Sequence, residues 1–155
     1  MLIVLVFGLR PIDAAAAVDS LPPIKIMRTS GSMYTERNLP KGKPFMLVYF
    51  APDCEHCQKL MNQLFPKLNE FRKVEILLVT FKPLQDLKEF EKQYNTKKYT
   101  NMVTGTEGTG FYLRYHYNIQ KTPFIAIYDR KGSLAGVYRN TPTVQELADK
   151  VKSLK

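Results

Sequence analysis

The sequence predicts an α/β fold of three layers, in which a central mixed β-sheet carries helices on both faces. In the middle of the chain, buried-strand patterns alternate with amphipathic-helix patterns, which is typical of a parallel core. Two short strands joined by a tight turn come later, and they add antiparallel pairing. A length of 155 residues suits a single domain with its own hydrophobic core.

Residues 1–17 have the pattern of a signal peptide. A short apolar run from Leu2 to Leu9 is followed by four alanines, Ala14 to Ala17, which offer a small-residue cleavage site. No basic residue precedes the run, which departs from the usual pattern, and a buried N-terminal strand is the alternative. The run is shorter than the ~20 apolar residues that span a bilayer, so no stable membrane span is expected.

Residues 18–43 are expected to form an N-terminal strand and a loop, with the strand at Ile24–Met27 and the loop at Thr29–Lys43. The main domain would then occupy residues 44–155. Its first element is the continuous apolar run Phe45–Phe50, which predicts a central strand buried on both faces.

Helical spacing of apolar residues begins at Glu55, and Pro66 predicts a kink within that helix. A second buried strand is predicted at Val74–Phe81, and a second amphipathic helix at Leu84–Tyr94. The polar, glycine-bearing segment Asn95–Gly110 predicts a loop.

The last third of the chain predicts a hairpin and a helix. The strands are Phe124–Tyr128 and Leu134–Tyr138, and Gly132 in the turn between them can take a positive φ. The final helix begins with a capping box formed by Thr143 and Glu146.

Only two cysteines are present, Cys54 and Cys57, and they form a C-x-x-C motif at the start of the first predicted helix. This spacing places both thiols on one face, where the helix N-terminus favours a thiolate. We expect Cys54, nearer the helix end, to attack a substrate disulfide. Cys57 begins the buried stripe, so we expect it to resolve the mixed disulfide.

A strand is followed by Ala51 to Cys57 and a helix, and Lys121-Thr122-Pro123 stands later in the chain, before a hairpin. This order of elements resembles that of the thioredoxin-like superfamily, especially exported TlpA/ResA-type thiol–disulfide oxidoreductases. The resemblance spans about Pro44 to Lys155. It implies a thioredoxin-like three-layer sandwich, with Thr122 and a cis Pro123 as the substrate-binding edge. By itself, an X-Pro bond at a strand start favours trans.

Three residues around the motif are expected to tune it: Asp53, Glu55 and His56. Asp53 stands where the family usually carries Trp, and the family's usual acids are replaced by Val48 and Leu60. His56 can stabilise a Cys54 thiolate, whereas the two carboxylates repel it. A stabilised thiolate makes a better oxidant and an unstabilised one a better reductant, so these residues leave the direction of exchange open.

The expected function is extracytoplasmic thiol–disulfide exchange, in the periplasm or another exported location, and the resemblance favours reduction of protein disulfides. The alternatives are a DsbA-like oxidase and a redox-silent binding module. The expected partners are protein thiol or disulfide substrates and an upstream thiol redox partner. No cofactor is expected, and the protein is expected to be a monomer. The charge of +9 comes from lysines spread along the chain, which does not predict nucleic-acid binding.

No metal site is predicted. Cys54, His56, Cys57 and His116 could supply four ligands, but strong zinc signatures have two ligand pairs at defined spacing. The aromatic residues around His116 could line a peptide groove beside Thr122, but packing of a short helix is favoured; they are Phe111, Tyr112, Tyr115 and Tyr117.

Overall fold

The computed structural model describes residues 21–154, so the predicted signal peptide lies outside the described residues. The strands are β1 (Lys25–Met27), β2 (Met33–Thr35), β3 (Phe45–Phe50), β4 (Glu75–Thr80), β5 (Met102–Thr106), β6 (Phe124–Tyr128) and β7 (Leu134–Tyr138). The helices are α1 (Glu55–Leu64), α2 (Leu84–Tyr94), α3 (Tyr112–His116) and α4 (Val144–Lys152). In this part of the chain no helix is long and apolar enough to cross a membrane.

All seven strands form one sheet in the order β2-β1-β5-β4-β3-β6-β7. The three central strands, β5, β4 and β3, are parallel. The outer strands pair antiparallel, β1 with β5 on one side and β6 with β3 on the other. The predicted mixed sheet is therefore confirmed, and β3 lies inside it, where both faces are covered.

Side chains of β3 alternate between two hydrophobic cores. Val48 and Phe50 belong to the core that also receives α1, α2 and α4. Leu47 and Tyr49 belong to the opposite core, which receives α3 and the N-terminal strands. This alternation explains why Phe45–Phe50 is apolar throughout, and it confirms the three-layer architecture.

The first helix changes form close to Pro66, where a kink was predicted. Helix α1 ends at Leu64, and the chain continues as a 3₁₀ helix over Phe65–Phe71. Proline lacks the backbone donor that a continuing α-helix needs, so the hydrogen-bond pattern changes there.

Two segments predicted as loops contain strands, so those predictions were wrong in part. Strand β2 lies inside 29–43, and β5 lies inside 95–110. Strand β5 contains Thr and Gly and lacks a strong apolar pattern, but its backbone pairs with β4 over five residues. Gly105 also allows a close approach, because an added Cβ would lie 2.5 Å from Cδ1 of Ile26.

Candidate active site

The two cysteines lie at the carboxyl end of β3, where the chain turns into α1. The Cys54 N–H donates to the carbonyl oxygen of Ala51 at 3.1 Å, and the Cys54 carbonyl accepts from the N–H of Gln58 at 2.9 Å. Cys54 is the N-cap residue with an extended backbone, and Cys57 lies in the first helical turn. Both are free thiols. The turn therefore places the C-x-x-C motif at a helix start, as predicted.

The two thiols differ in exposure and in contacts. Cys57 is only 1% exposed, whereas Cys54 is half-buried. The Cys54 Sγ donates to the carbonyl oxygen of Thr122 at 3.5 Å. The Thr122–Pro123 peptide bond is cis, as the family resemblance implied. The structure thus brings Thr122 and Pro123 to the cysteines from a distant part of the sequence.

Their surroundings separate the pKa values of the two thiols. Burial, the largest single influence on Cys54, would raise its pKa, but hydrogen bonds from the Thr122 and Cys57 side chains and from backbone N–H groups outweigh it, so the pKa is lowered. Burial raises the pKa of Cys57 to about 12, and its hydrogen bond to Cys54 adds to the rise. The first proton lost by the pair therefore leaves Cys54.

The carboxylates beside Cys54 are each paired with a lysine. Asp53 lies 2.5 Å from Lys82, and Glu55 lies 2.7 Å from Lys59. The lysine hydrogen bond lowers the pKa of each carboxyl. Both carboxylates are exposed to solvent, which screens them further. The expected repulsion of a Cys54 thiolate is therefore reduced on both sides.

No carboxylate is among the groups that mainly set the pKa of the buried Cys57. The pKa of Cys57 is set by burial, by Cys54, by the backbone of Ala51 and by Thr122. Val48 and Leu60, which replace the family's acids, are almost completely buried in the apolar core. A proton leaving Cys57 must therefore pass to a group outside this core.

The two histidines lie in different surroundings. The backbone of His56 is among the hydrogen-bond donors that lower the pKa of Cys54, and its side chain lines a cleft beside Thr122. The Nε2 atom of His116 is buried without a hydrogen-bond partner in the described part of the chain, and the ring packs edge-on against Tyr117. Within residues 21–154, no three His, Cys, Asp or Glu side chains are placed to hold a metal ion, so the four-ligand alternative is not assembled.

Of the aromatic residues around His116, Tyr117 packs in the core, as the packing interpretation expects. It is 1% exposed and makes a hydrogen bond with the hydroxyl of Tyr128. Tyr115, in contrast, is 76% exposed. Phe111 packs near Phe81 at the rim of the cleft.

Sequence reasoning missed three groups near the cysteines. Lys82 follows β4, the parallel neighbour of β3, and carboxyl ends of parallel strands meet at one edge of a sheet, so this position could have been predicted. The Tyr49 hydroxyl donates to the buried carboxylate of Glu107 at 2.5 Å, a contact that depends on the unpredicted strand β5. Arg114 lines the cleft from α3.

Comparisons with known proteins agree with this geometry. The family model described as a thioredoxin-like domain matches residues 33–154. A search of curated proteins found no match. The solved structure of MTB DsbF, in mixed oxidised and reduced forms, is similar with a TM-score of 0.73 and 20% identity, covering 90% of this chain and 98% of that one.

Two further solved structures share the fold. A secreted Mycobacterium tuberculosis disulfide oxidoreductase homologous to E. coli DsbE has a TM-score of 0.71 and 19% identity, covering 91% of this chain and all of that one. The exposed lipoprotein thioredoxin of Streptococcus pneumoniae has a TM-score of 0.65 and 19% identity, covering 85% and 99%. The family match covers most of the chain and includes both cysteines, and on this evidence the chain belongs to the thioredoxin-like domain family, whose general chemistry is thiol–disulfide oxidoreduction.

Proposed function

We propose that the protein reduces disulfides of client proteins outside the cytoplasm, with Cys54 as the attacking thiol and Cys57 as the resolving thiol. The observation that carries this proposal is the opposite perturbation of the two pKa values, which is lowered for Cys54 and raised to about 12 for Cys57. The thiolate is the nucleophile in disulfide exchange, so the half-buried Cys54 attacks first.

In the first step the Cys54 thiolate attacks one sulfur of the client disulfide. A Cys54–client disulfide forms, the client S–S bond breaks, and the other client sulfur leaves as a thiolate. Thr122 and Pro123 form the wall against which the client backbone docks, because the Thr122 carbonyl already contacts the Cys54 Sγ.

In the second step Cys57 attacks the Cys54 Sγ and releases the client. The charge and the hydrogen bond of the Cys54 thiolate both raise the pKa of Cys57, and formation of the mixed disulfide removes them. The pKa of Cys57 therefore falls at this step, although burial still keeps it raised. Because no carboxylate is among the main influences on Cys57, the departing client thiolate takes its proton. The pair ends as a Cys54–Cys57 disulfide, two electrons have passed to the client, and an upstream dithiol must reduce the pair again.

The proposed direction of exchange, reduction of the client, depends on which interactions stabilise the Cys54 thiolate. The main contributions that lower its pKa are hydrogen bonds, and they act against burial. A reduced form with only this stabilisation gives up its electrons more readily than one held by a buried cation. The lowered pKa itself favours the second candidate, a DsbA-like oxidase, because a more stable thiolate makes the disulfide more oxidising.

An extracytoplasmic location is supported by the apolar run and the alanines within residues 1–17. Two proteins of similar fold are described as secreted and as an exposed lipoprotein. Cell fractionation with an antibody to the protein tests the location. Recovery in the periplasmic or secreted fraction is expected, and recovery in the cytoplasm alone would contradict it.

The test of the chemistry is to trap the mixed disulfide. Cys57→Ser should accumulate covalent adducts with client proteins in an extracytoplasmic extract, and a thiol reductant should release them. Cys54→Ser is the matched control, and it should form none because the remaining thiol is buried. The absence of adducts with Cys57→Ser, or equal adducts with both variants, would refute the proposed roles.

The direction is tested with two model substrates. The reduced protein should reduce a folded protein's accessible disulfide, with stoichiometric formation of the Cys54–Cys57 disulfide. The oxidised protein should donate that disulfide only slowly to a reduced, unfolded protein. Rapid donation would establish the oxidase instead.

A further inference from the structure

A cleft of about 330 Å³ opens directly beside the candidate active site. His56 and Thr122, the neighbours of the cysteines, form one part of its wall. Phe81 and Arg114 form another part, and Lys121 lies at its edge. Among residues 21–154, no aspartate or glutamate lines this cleft, whereas an arginine, a lysine and a histidine do. A client segment bound beside Cys54 therefore meets a basic and partly aromatic wall.

Arg114 is held in this wall by two aromatic rings. Its Cζ atom lies 5.4 Å from the ring centre of Phe81 and 5.7 Å from that of Phe111. Stacking of this kind fixes a guanidinium while leaving its edge free to donate hydrogen bonds. Arg139 also stacks on a ring, that of Phe124, but its Nη1 donates to a backbone carbonyl at 3.3 Å.

Unlike Arg139, Arg114 donates no hydrogen bond from its guanidinium to any residue that the structure describes. Among residues 21–154, no hydrogen bond or ion pair engages its guanidinium. Two acids that contact neighbours of the cleft are occupied: Asp53 pairs with Lys82, and both carboxylate oxygens of Glu107 accept hydrogen bonds, from Tyr49 and from the Leu113 N–H. The protein thus supplies a positioned cation but uses its own carboxylates elsewhere.

The backbone that carries Arg114 is anchored next to it. The Leu113 N–H donates to the buried Glu107 carboxylate at 2.8 Å, and the Leu113 side chain is 1% exposed in the core. Tyr117, one turn later, is equally buried. A site whose charged group is already positioned loses little conformational entropy when a ligand binds.

We propose that Arg114 is a specificity-determining residue that binds a carboxylate on the client segment next to the disulfide attacked by Cys54. The substrate class is then a disulfide flanked by an acidic side chain, since a carboxylate accepts two parallel hydrogen bonds from a guanidinium. Charge complementarity supports this occupant, because the chain carries a net charge of +9 and no acid of the described residues lines the cleft. The inference rests on the proposed function.

The test compares two disulfide-containing peptides that differ only in one residue, a Glu or a Gln two positions from the target cysteine. The second-order rate constant for oxidation of the reduced protein is measured with each peptide at low ionic strength. The Glu peptide should react about tenfold faster, the effect of one charge-assisted hydrogen-bonded pair. Added salt should reduce the ratio of the two rates.

In Arg114→Gln the ratio should fall to about one, and in Arg114→Lys, which keeps the charge, part of it should remain. Arg72→Gln is the matched control, because it removes the same charge from a cavity bordered by Pro44, at the opposite end of β3. Its ratio should equal that of the wild type. A partial loss of fold in Arg114→Gln would lower both rates by the same factor and could not by itself move the ratio, so a fall of the ratio to about one reports the lost carboxylate contact.

A wild-type ratio of one, or a ratio that persists in Arg114→Gln, would overturn the inference while leaving the proposed function standing. No reaction with either peptide would contradict the proposed function itself, and the inference with it.

Discussion

In the reduced native protein, iodoacetamide should alkylate Cys54 at least about a hundredfold faster than Cys57. A thiol with a pKa of about 12 is ionised at pH 7 in only about one molecule in 100,000, against roughly 3% for an ordinary thiol. The greater nucleophilicity of a more basic thiolate recovers a factor of only about 25 to 55. About two powers of ten remain, and the lowered pKa of Cys54 and the 1% exposure of Cys57 widen the difference.

The assay is the initial rate of labelling at each cysteine, followed by mass spectrometry of peptides across a pH series. Initial rates are needed because alkylation of Cys54 removes one of the groups that raise the pKa of Cys57. In urea-unfolded protein the two sites should react at similar rates. Comparable native rates at Cys54 and Cys57 would refute the assignment of the nucleophile.

A matched pair of variants tests why the Cys54 pKa is low. Thr122→Val removes the side-chain hydroxyl, one of the groups that lower the pKa of Cys54, so the pH profile of labelling should move to higher pH. Thr122→Ser keeps the hydroxyl, and its profile should match that of the wild type. A Thr122→Val profile identical to the wild type would contradict the hydrogen-bond explanation.

Three further predictions concern the scaffold of the site. Tyr49→Phe should lower the free energy of unfolding by about 1.5–3 kcal/mol, because it removes a donor to a buried carboxylate, whereas Tyr117→Phe breaks a phenol–phenol bond and should cost about 0.5–1.5 kcal/mol; equal losses in urea titrations would contradict this. Burial is the main cause of the raised pKa of Tyr34, Tyr49 and Tyr117, and the unfolded chain loses these protons near pH 10. The contribution of these three groups to stability should therefore be constant below that pH and fall above it, by up to about 4 kcal/mol per pH unit. A stability that stays flat to pH 12 would disagree. Gly105→Ala should lower the free energy of unfolding by about 1–3 kcal/mol, because the added Cβ would lie 2.5 Å from Ile26. Thermal unfolding at the same temperature as the wild type would contradict this, since it would show that the strands accommodate the Cβ.

The elements that could be predicted from sequence are those whose pattern is complete within a few residues. Strand β3 and helix α2 were predicted with the bounds that the structure has, since apolar runs and helical spacing are local signals. The Thr143–Glu146 capping box was predicted for the same reason, and its hydrogen bonds are formed. Strand β5 was missed because the burial of Thr104 and Gly105 comes from neighbouring strands and not from their own polarity.

At the site, the C-x-x-C motif could be read directly, but the surroundings that tune it could not. The pairing of Asp53 with Lys82 joins residues 29 positions apart and depends on how β3 and β4 align. The contact of Cys54 with Thr122 depends on the register of β6 beside β3. For this reason the sequence left the balance between repulsion and stabilisation of the thiolate open, whereas the structure shows both flanking carboxylates paired with lysines.

The most direct test of the central claim is a redox titration of the Cys54/Cys57 pair in thiol–disulfide buffers, read by the mass change of the protein. Thiol–disulfide exchange predicts one reversible two-electron transition, and a reductase predicts a midpoint closer to about −270 mV than to about −120 mV. A midpoint near the higher value would reverse the direction of exchange. A pair that stays reduced at every potential would contradict the exchange chemistry altogether.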